Sequence, residues 1–283
     1  MVTFCCKLNA QDGLIKNYVA PKETQSSFGN STILKNIRYA PIPEIATDST
    51  SDRILDLFLP KIESTNKLLP VFLFIHGGGF TGGDKSGMNN LCGKIASQGF
   101  AVVSINYRLY LKYKGVKGSY CSSNMSKGLP ENNSFHPVLN EAIAIASEDA
   151  IEAIQWVKDN AVKYHFNVNQ LAIGGGSAGA MTALHVAYIS NQKVLPIKAV
   201  VDFFGGLEHT KSITNNKIPV SIYHGDIDDL ISVQYAYALD SRMKEIGSKN
   251  SVLNIMEGRG HVQYKYIEEN KIPEIVAFLR ANL

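Results

Sequence analysis

Two glycine-rich segments of this chain carry residue types suited to nucleophilic catalysis. The first is Gly-Gly-Ser-Ala-Gly at 175–179, which places Ser177 between small neighbours. It follows an apolar run that predicts a strand and precedes a stretch that predicts a helix, the setting in which G-x-S-x-G forms a tight turn with an exposed serine. A glycine-rich phosphate loop is the alternative, but neither G-x-x-x-x-G-K-[ST] nor a dinucleotide fingerprint is present. We therefore interpret Ser177 as a nucleophile.

The second segment is His-Gly-Gly-Gly-Phe at 76–80, directly after the apolar run PVFLFI. Three glycines allow successive backbone N–H groups to face one point, as in an oxyanion hole that stabilises charge developing on a carbonyl oxygen. The N–H of Ala178, next to the serine, would complete that hole. A merely flexible loop is the alternative interpretation. His76 itself is expected to bond loop backbone rather than to act as a base.

A serine hydroxyl needs an adjacent base, and that base needs an acid to orient it. Among the seven histidines, His261 has the expected position, on a glycine-flanked loop after the last predicted strand. The loop after the strand at 218–223 offers three carboxylates that composition alone does not separate: Asp226, Asp228 and Asp229. Asp229 is expected to make local backbone hydrogen bonds. Asp202, on an earlier strand, is a more distant candidate.

The apolar pattern predicts an α/β protein with a doubly wound, mostly parallel sheet and helices on both faces. Strands are predicted at 32–40, 53–59, 70–75, 100–107, 171–174, 197–204, 218–223 and 252–256. Helices are predicted at 90–98, 147–164, 177–190, 232–246 and 272–281. The first two strands are expected to pair as a hairpin. Residues 1–30 are interpreted as an N-terminal segment and 31–283 as one domain, in which 110–146 form an insertion over one end of the sheet.

Together, the motifs HGGGF, GDKS (83–86), NYRL (106–109), GGSAG, HGDID (224–228) and GH (260–261) resemble an α/β-hydrolase of the esterase/lipase superfamily. The nearest likeness is to carboxylesterases with an HGGG oxyanion loop, which include hormone-sensitive-lipase-like and feruloyl- or acetyl-esterase-like enzymes. The resemblance runs from about Ile54 to the C-terminus. Gly176 stands where many hormone-sensitive-lipase-like members have Asp, which favours the feruloyl-esterase-like branch.

The resemblance implies a role for each matching residue. Ser177 would be the nucleophile and His261 the base, while Asp228 would be the acid because it stands three residues after Gly225. The oxyanion N–H groups would come from the residues Gly78, Gly79 and Ala178.

These roles imply a two-step acyl transfer on short-chain or aromatic-acid esters, with a small-molecule ester as substrate and neither metal nor cofactor. Aromatic candidates for the substrate pocket are Phe80, Tyr110, Tyr113, Tyr120 and Phe135, with ordinary loop packing as the alternative for those in the insertion. An amide- or peptide-cleaving hydrolase and a non-catalytic ligand-binding relative are the other functions considered.

Composition excludes several other classes of protein. Lys and Arg total 28 against 25 Asp and Glu, a net charge of +3 without the basic stripe typical of nucleic-acid binders. No apolar run approaches the roughly 18 residues that span a bilayer. A homodimer is left open.

The cysteines and the N-terminus bear on location. Residues 1–10 are apolar and are interpreted as the remnant of a signal peptide, which favours an exported protein; a frayed terminus and a cytoplasmic location are the alternatives. In an exported protein, Cys92 and Cys121 are expected to form a disulfide, with two free thiols as the competing possibility.

Overall fold

The computed structural model describes residues 18–44, 46–61, 67–130, 134–215 and 217–283. Within these ranges nine strands form one sheet in the order β1-β2-β3-β5-β4-β6-β7-β8-β9. The strands are β1 (Thr24–Phe28), β2 (Ser31–Arg38), β3 (Ile54–Pro60), β4 (Leu69–Ile75), β5 (Ala101–Ile105), β6 (Phe166–Gly176), β7 (Ile197–Phe203), β8 (Val220–Gly225) and β9 (Val252–Met256).

The six strands β4 to β9 run parallel to one another, whereas β1, β2 and β3 pair antiparallel at one edge. The parallel strands read as continuous apolar runs because helices cover both of their faces. The prediction of a mostly parallel sheet is confirmed, and so is the early hairpin, which β2 and β3 form. β1 was not predicted because its sequence, TQSSF, lacks an apolar pattern on an exposed edge. Because β1 pairs with β2, residues 24–28 belong to the sheet and not to a separate N-terminal segment.

Helices cover the sheet on both sides. Their bounds are α1 (Asn89–Ala96), α2 (Tyr110–Lys114), α3 (Cys121–Met125), α4 (Pro137–Asp159), α5 (Ala161–Tyr164), α6 (Ala178–Tyr188), α7 (Gln234–Glu245), α8 (Tyr264–Asn270) and α9 (Ile272–Asn282). The buried side chains of α1, α8 and α9 belong to one hydrophobic cluster, and those of α4, α6 and α7 to another. The two clusters lie on opposite faces, so the sheet is doubly wound as predicted.

The long helix α4 begins ten residues earlier than the sequence suggested, at Pro137 rather than Ser147. Proline suits the first turn of a helix because its missing N–H would be unpaired there in any case. The ring of His136 accepts a hydrogen bond from the Val138 amide at 3.2 Å and caps this end. Residues 137–146 therefore belong to the crossover helix, which corrects the predicted extent of the insertion.

The predicted disulfide between Cys92 and Cys121 is wrong, since both thiols are free and buried. Cys92 lies in the cluster beneath α1, whereas Cys121 lies in the cluster on the other face of the sheet. There its Sγ contacts the Sδ of Met181 at 3.9 Å. A disulfide needs Cα atoms within about 7 Å, which two residues on opposite faces of a sheet do not meet.

Two further expectations concern the termini and the membrane. The proposed signal-peptide remnant at 1–10 lies outside the described residues. Among the helices of the described ranges, none combines the length and apolar character needed to span a membrane.

Candidate active site

Ser177 sits in the sharp turn between β6 and α6, with φ of +54°. This left-handed conformation is strained for a residue with a side chain, and such strain is typical of functional sites. Gly175 and Gly179 pack closely against the end of β4. A Cβ on Gly175 would lie 2.4 Å, and one on Gly179 2.1 Å, from the carbonyl oxygen of Ile75, so both positions require glycine. The Ser177 amide donates to the Phe203 carbonyl at 2.9 Å, which ties the turn to β7.

The three residues Ser177, His261 and Asp228 come together at the carboxyl edge of the sheet. The Ser177 hydroxyl donates to Nε2 of His261 at 2.9 Å. The Nδ1–H of His261 donates to Oδ2 of Asp228 at 2.7 Å. His261 follows β9 and Asp228 follows β8, so parallel strands bring together residues that are far apart in sequence. This arrangement leaves Nε2 free to accept a proton from the serine.

The carboxylate of Asp228 is saturated with hydrogen-bond donors. Its Oδ1 accepts from the amides of Leu230 and Ile231, both at 2.9 Å. Its Oδ2 faces Nε2 of His224 at 3.2 Å as well as His261. Burial would raise the pKa of Asp228, but the hydrogen bonds from His224, His261 and the Ile231 amide outweigh it and hold that pKa well below its usual value. The acid is therefore ionised at any working pH.

The competing carboxylates lie elsewhere. Asp226 is exposed and accepts from the Arg259 amide at 3.3 Å. Asp229 is also exposed, and the local backbone bonds expected of it are made by Asp228 instead. Asp202 is wholly buried, accepts from the Gly205 amide at 2.9 Å, and has its pKa raised to about 6 by that burial. None of the three donates to or accepts from His261 in the described structure.

His76 has the structural role expected of it. Its Nδ1 lies 2.7 Å from the Gly77 carbonyl oxygen, and its ring stacks on Tyr107 with centroids 4.6 Å apart. Burial lowers the pKa of His76, so the ring is neutral. Four other histidines lie outside the site. His136 caps α4 and His165 has a left-handed backbone conformation. His185 lines a separate cavity, and His209 is exposed.

The glycine loop after β4 turns back on itself beside the serine. Gly78 and Gly79 have φ of +121° and +61°, and a Cβ on Gly78 would lie 2.1 Å from the Gly82 carbonyl oxygen. The Gly78 carbonyl accepts from the amides of Thr81 and Gly82 at 3.0 and 3.1 Å, which closes the turn. Ala178 is the first residue of α6, where backbone N–H groups have no partner within the helix.

The GDKS and NYRL motifs anchor this loop rather than take part in chemistry. The buried ammonium of Lys85 pairs with Asp56 at 2.8 Å and donates to the Asn36 side chain at 2.9 Å. Asn106 accepts from the Lys85 amide at 2.6 Å and donates to Asp84 at 2.7 Å. A network of this kind holds the loop in place, because each buried charge in it is paired.

A cavity of about 650 Å³ opens beside Ser177. Its apolar walls come from the side chains Met88, Tyr120, Cys121, Phe204, Leu230, Ile231, Val262 and Tyr264. No Lys or Arg is among the described residues that line it, and Asp84 is the one carboxylate among them. Val262 has φ of +58°, a costly conformation for a β-branched residue directly after His261.

The predicted wall residues are mostly not in this cavity. Phe80 is wholly buried in the core against Tyr107. The Tyr113 hydroxyl bonds to Thr47 at 2.8 Å, and Tyr110 packs on the main hydrophobic cluster. Phe135 lines a separate cavity of about 160 Å³. Among the aromatic candidates, only Tyr120 lines the cavity beside Ser177. The composition of a loop does not indicate which way its side chains point.

The sequence reasoning missed Phe204 and Tyr264, whose rings pack edge-on with centroids 5.1 Å apart. Both could have been found from position alone. Phe204 directly follows β7, and Tyr264 stands three residues after His261. Among the described residues, no group of three or more His, Cys, Asp or Glu side chains is placed to hold a metal ion.

Two family models match separate parts of the chain. The BD-FAE model covers residues 55–114, and a model described as alpha/beta hydrolase fold covers residues 140–244. The first range holds the glycine loop together with Asp56, Lys85 and Asn106, and the second holds Ser177 and Asp228.

Relatives of known activity are similar over part of their length. The chain is 27% identical over 221 residues to 3-O-acetylpapaveroxine carboxylesterase CXE1 of Papaver somniferum, covering 65% of this chain and 60% of that protein. It is 27% identical over 170 residues to the para-nitrobenzyl esterase of Bacillus subtilis, covering 60% of this chain and 30% of that one. The chain thus spans three fifths or less of these relatives.

Solved structures share the fold. Thermogutta terrifontis esterase 2 phosphonylated by cyclosarin superposes with a TM-score of 0.65 at 16% identity, covering 93% of this chain and 95% of the other. A truncated carbohydrate esterase from gut microbiota superposes with a TM-score of 0.63 at 17% identity, covering 93% and 98%.

Proposed function

We propose that this chain, an α/β-hydrolase by fold, is a serine esterase that cleaves carboxylic esters of small molecules. The predicted fold is confirmed by the alpha/beta hydrolase match over residues 140–244, and the resemblance to carboxylesterases by the similarity to the Papaver somniferum carboxylesterase. The observation that carries the proposal is the unbroken line of hydrogen bonds from Ser177 through His261 to Asp228, at 2.9 and 2.7 Å.

The proposed reaction begins when the Ser177 oxygen attacks the ester carbonyl carbon while Nε2 of His261 takes the hydroxyl proton. The imidazolium then carries a proton on each nitrogen, and ionised Asp228 stabilises it. The C–O bond to the alcohol breaks, and the leaving oxygen takes the proton from Nε2. Water then attacks the acyl-enzyme in the same way, releasing the acid and restoring Ser177.

The amides of Gly78, Gly79 and Ala178 are proposed to donate to the oxygen of the tetrahedral intermediate. Positive φ at both glycines and the start of α6 at Ala178 support this role. Donors fixed before the reaction cost no reorganisation when charge develops, and loss of one such donor typically lowers kcat by about 10²–10³-fold.

The lining of the cavity favours an uncharged ester with an apolar group. Tyr120, Phe204 and Tyr264 supply aromatic surface beside Ser177, while the described lining holds no cation to pair with an anionic substrate. Short-chain or aromatic acyl groups fit a volume of about 650 Å³ that must also hold the alcohol part.

Covalent labelling tests the proposal most directly. An organophosphonate should add one adduct to the intact protein, mapped by mass spectrometry to Ser177, and Ser177→Ala should take up none. That variant should keep its fold and lose about 10⁶-fold in kcat on chromogenic short-chain esters. A folded Ser177→Ala protein with a tenth of the activity would refute the nucleophile. Faster cleavage of matched anilides than of esters would instead indicate an amidase.

A further inference from the structure

The acid of the proposed triad is shared by two imidazoles. Oδ2 of Asp228 lies 2.7 Å from Nδ1 of His261 and 3.2 Å from Nε2 of His224. His224 is four residues before Asp228, is the penultimate residue of strand β8, and is 0% exposed. The reaction sequence above gives it no part, although it opens the HGDID motif.

The contacts of His224 fix which ring nitrogen carries its proton. Nε2 faces two acceptors, the Ile231 carbonyl oxygen at 2.8 Å and the Asp228 carboxylate. A bare nitrogen between two acceptors would be repelled by both, so Nε2 carries the hydrogen. His224 is therefore a donor to Asp228 through Nε2, whereas His261 donates through Nδ1.

The other ring nitrogen, Nδ1, makes no hydrogen bond, and a buried acid lies on the neighbouring strand. Nδ1 of His224 and Oδ2 of Asp202 both lack a hydrogen-bond partner in the described structure. Asp202 pairs with Ile222 between β7 and β8, so it and His224 lie on the same face of neighbouring strands. The Ile231 and Asp228 oxygens fix the hydrogen on Nε2, so the donation to Asp228 does not depend on Asp202.

We propose that His224 is a positioning residue of the esterase site, which holds Oδ2 of Asp228 in line with His261 through its Nε2–H. This inference rests on the proposed function. Two amides hold Oδ1, so without His224 the second oxygen would depend on His261 alone, the group that moves its proton during catalysis. His224 also shares the charge of the carboxylate, and an Oδ2 with a single donor would bind the His261 imidazolium more strongly.

The ionisable groups around this line come from several elements. Asp202 lies on β7, Tyr188 on α6 is coupled electrostatically to Asp202, and Arg259 precedes His261 on its loop. Asp226 and Asp229 are exposed neighbours of Asp228. The variants below change none of these groups, so a shift in the pH profile reports on the His224 contact.

The test compares His224→Gln, whose amide can still donate to Asp228, with His224→Met, which fills similar volume without a donor. His224→Met should lower kcat by at least about tenfold at unchanged KM, as loss of a group supporting a ligand does at metal sites. Its acidic limb in the kcat–pH profile should move to higher pH. His224→Gln should recover most of the rate. His185→Met makes the same exchange at a histidine on α6 outside the site and should leave rate and profile unchanged.

A folded His224→Met protein with kcat within twofold of the parent and an unmoved acidic limb would overturn the inference. If the variants do not fold, ¹⁵N-histidine NMR of the parent protein decides. His224 should show the Nε2–H tautomer, and its N–H resonance should shift when Ser177 is phosphonylated, because the charge on His261 acts through the shared Asp228. An Nδ1–H tautomer or an unmoved resonance would also overturn it. Phosphonylation of Ser177 itself tests the esterase separately, so the two failures are distinguishable.

Discussion

At the scale of single residues, Asp228 shows how one carboxylate is singled out among several. Four donors surround it: the Leu230 and Ile231 amides, His224 and His261. Each donor stabilises the charged form, and together they outweigh the cost of burying a charge. Asp226 and Asp229 have the same chemistry and nearly the same sequence position but face outward. What distinguishes the acid is the direction of its side chain.

Replacing each of the three loop carboxylates by Asn tests this assignment. Asp228→Asn should lower kcat by about 10⁴-fold, because the amide favours the wrong imidazole tautomer of His261. Asp226→Asn and Asp229→Asn should each cost less than about tenfold, as expected of side chains outside the reaction. Steady-state kinetics on one ester measures all three. An active Asp228→Asn beside a dead Asp226→Asn or Asp229→Asn would move the acid to that residue.

At the scale of elements, the site depends on how closely the turn after β6, the loop after β4 and helix α8 approach one another. The hydroxyl of Tyr264 would lie 2.0 Å from a Cβ on Gly176 and 3.0 Å from one on Gly77. Tyr264 therefore fills the space that a side chain before the serine would take. Many hormone-sensitive-lipase-like esterases have Asp where this chain has Gly176. Here glycine is needed because the ring of Tyr264 occupies the space of that side chain.

Gly176→Ala should consequently push Tyr264 out of place. We expect a loss of about 1–3 kcal/mol in the free energy of unfolding, as for other overpacked sites, together with lower activity. Gly82→Ala is the matched control, because its added Cβ meets no atom within 4 Å and should cost under about 0.5 kcal/mol. Chemical denaturation measures both.

The double variant Gly176→Ala with Tyr264→Leu should regain much of the stability lost by Gly176→Ala, because the shorter side chain vacates the space. If Gly176→Ala alone were as stable as Gly82→Ala, the interlocking of these two residues would be disproved.

At the scale of the whole molecule, the buried carboxyl of Asp202 makes the stability of the fold depend on pH. This carboxyl is wholly buried with one amide donor, and its Oδ2 is unpaired. Burial raises its pKa from 3.8 to about 6. As the pH rises above 4, the unfolded chain loses this proton before the folded protein does. Ionisation of Asp202 therefore disfavours the folded state increasingly up to a pH of about 6, and by a constant amount above it.

Asp202→Asn should remove this penalty. The gain in the free energy of unfolding should be up to about 3 kcal/mol at pH 8, from a pKa difference of about two units, and close to zero at pH 4. Urea denaturation of both proteins at the two pH values measures the difference. An equal effect at pH 4 and pH 8 would show that charge at Asp202 is not the cause.

The sequence by itself determined the features that repeat along a single element. Apolar runs predicted the parallel strands. The small residues around Ser177 and the glycines at 77–79 indicated tight turns, because local sterics decide those conformations. It also favoured His261, since chain order in a doubly wound sheet limits where a base can stand.

Only the tertiary structure decided the rest, because it depends on side-chain direction and on contacts between distant residues. The placement of Phe80 and Phe135 away from the cavity beside Ser177 follows from packing that no local pattern encodes. The separation of Cys92 from Cys121 by the sheet is of the same kind. The contact of His224 with Asp228 also had to be read from the structure, because a hydrogen bond requires an angle and a distance that sequence spacing alone does not supply.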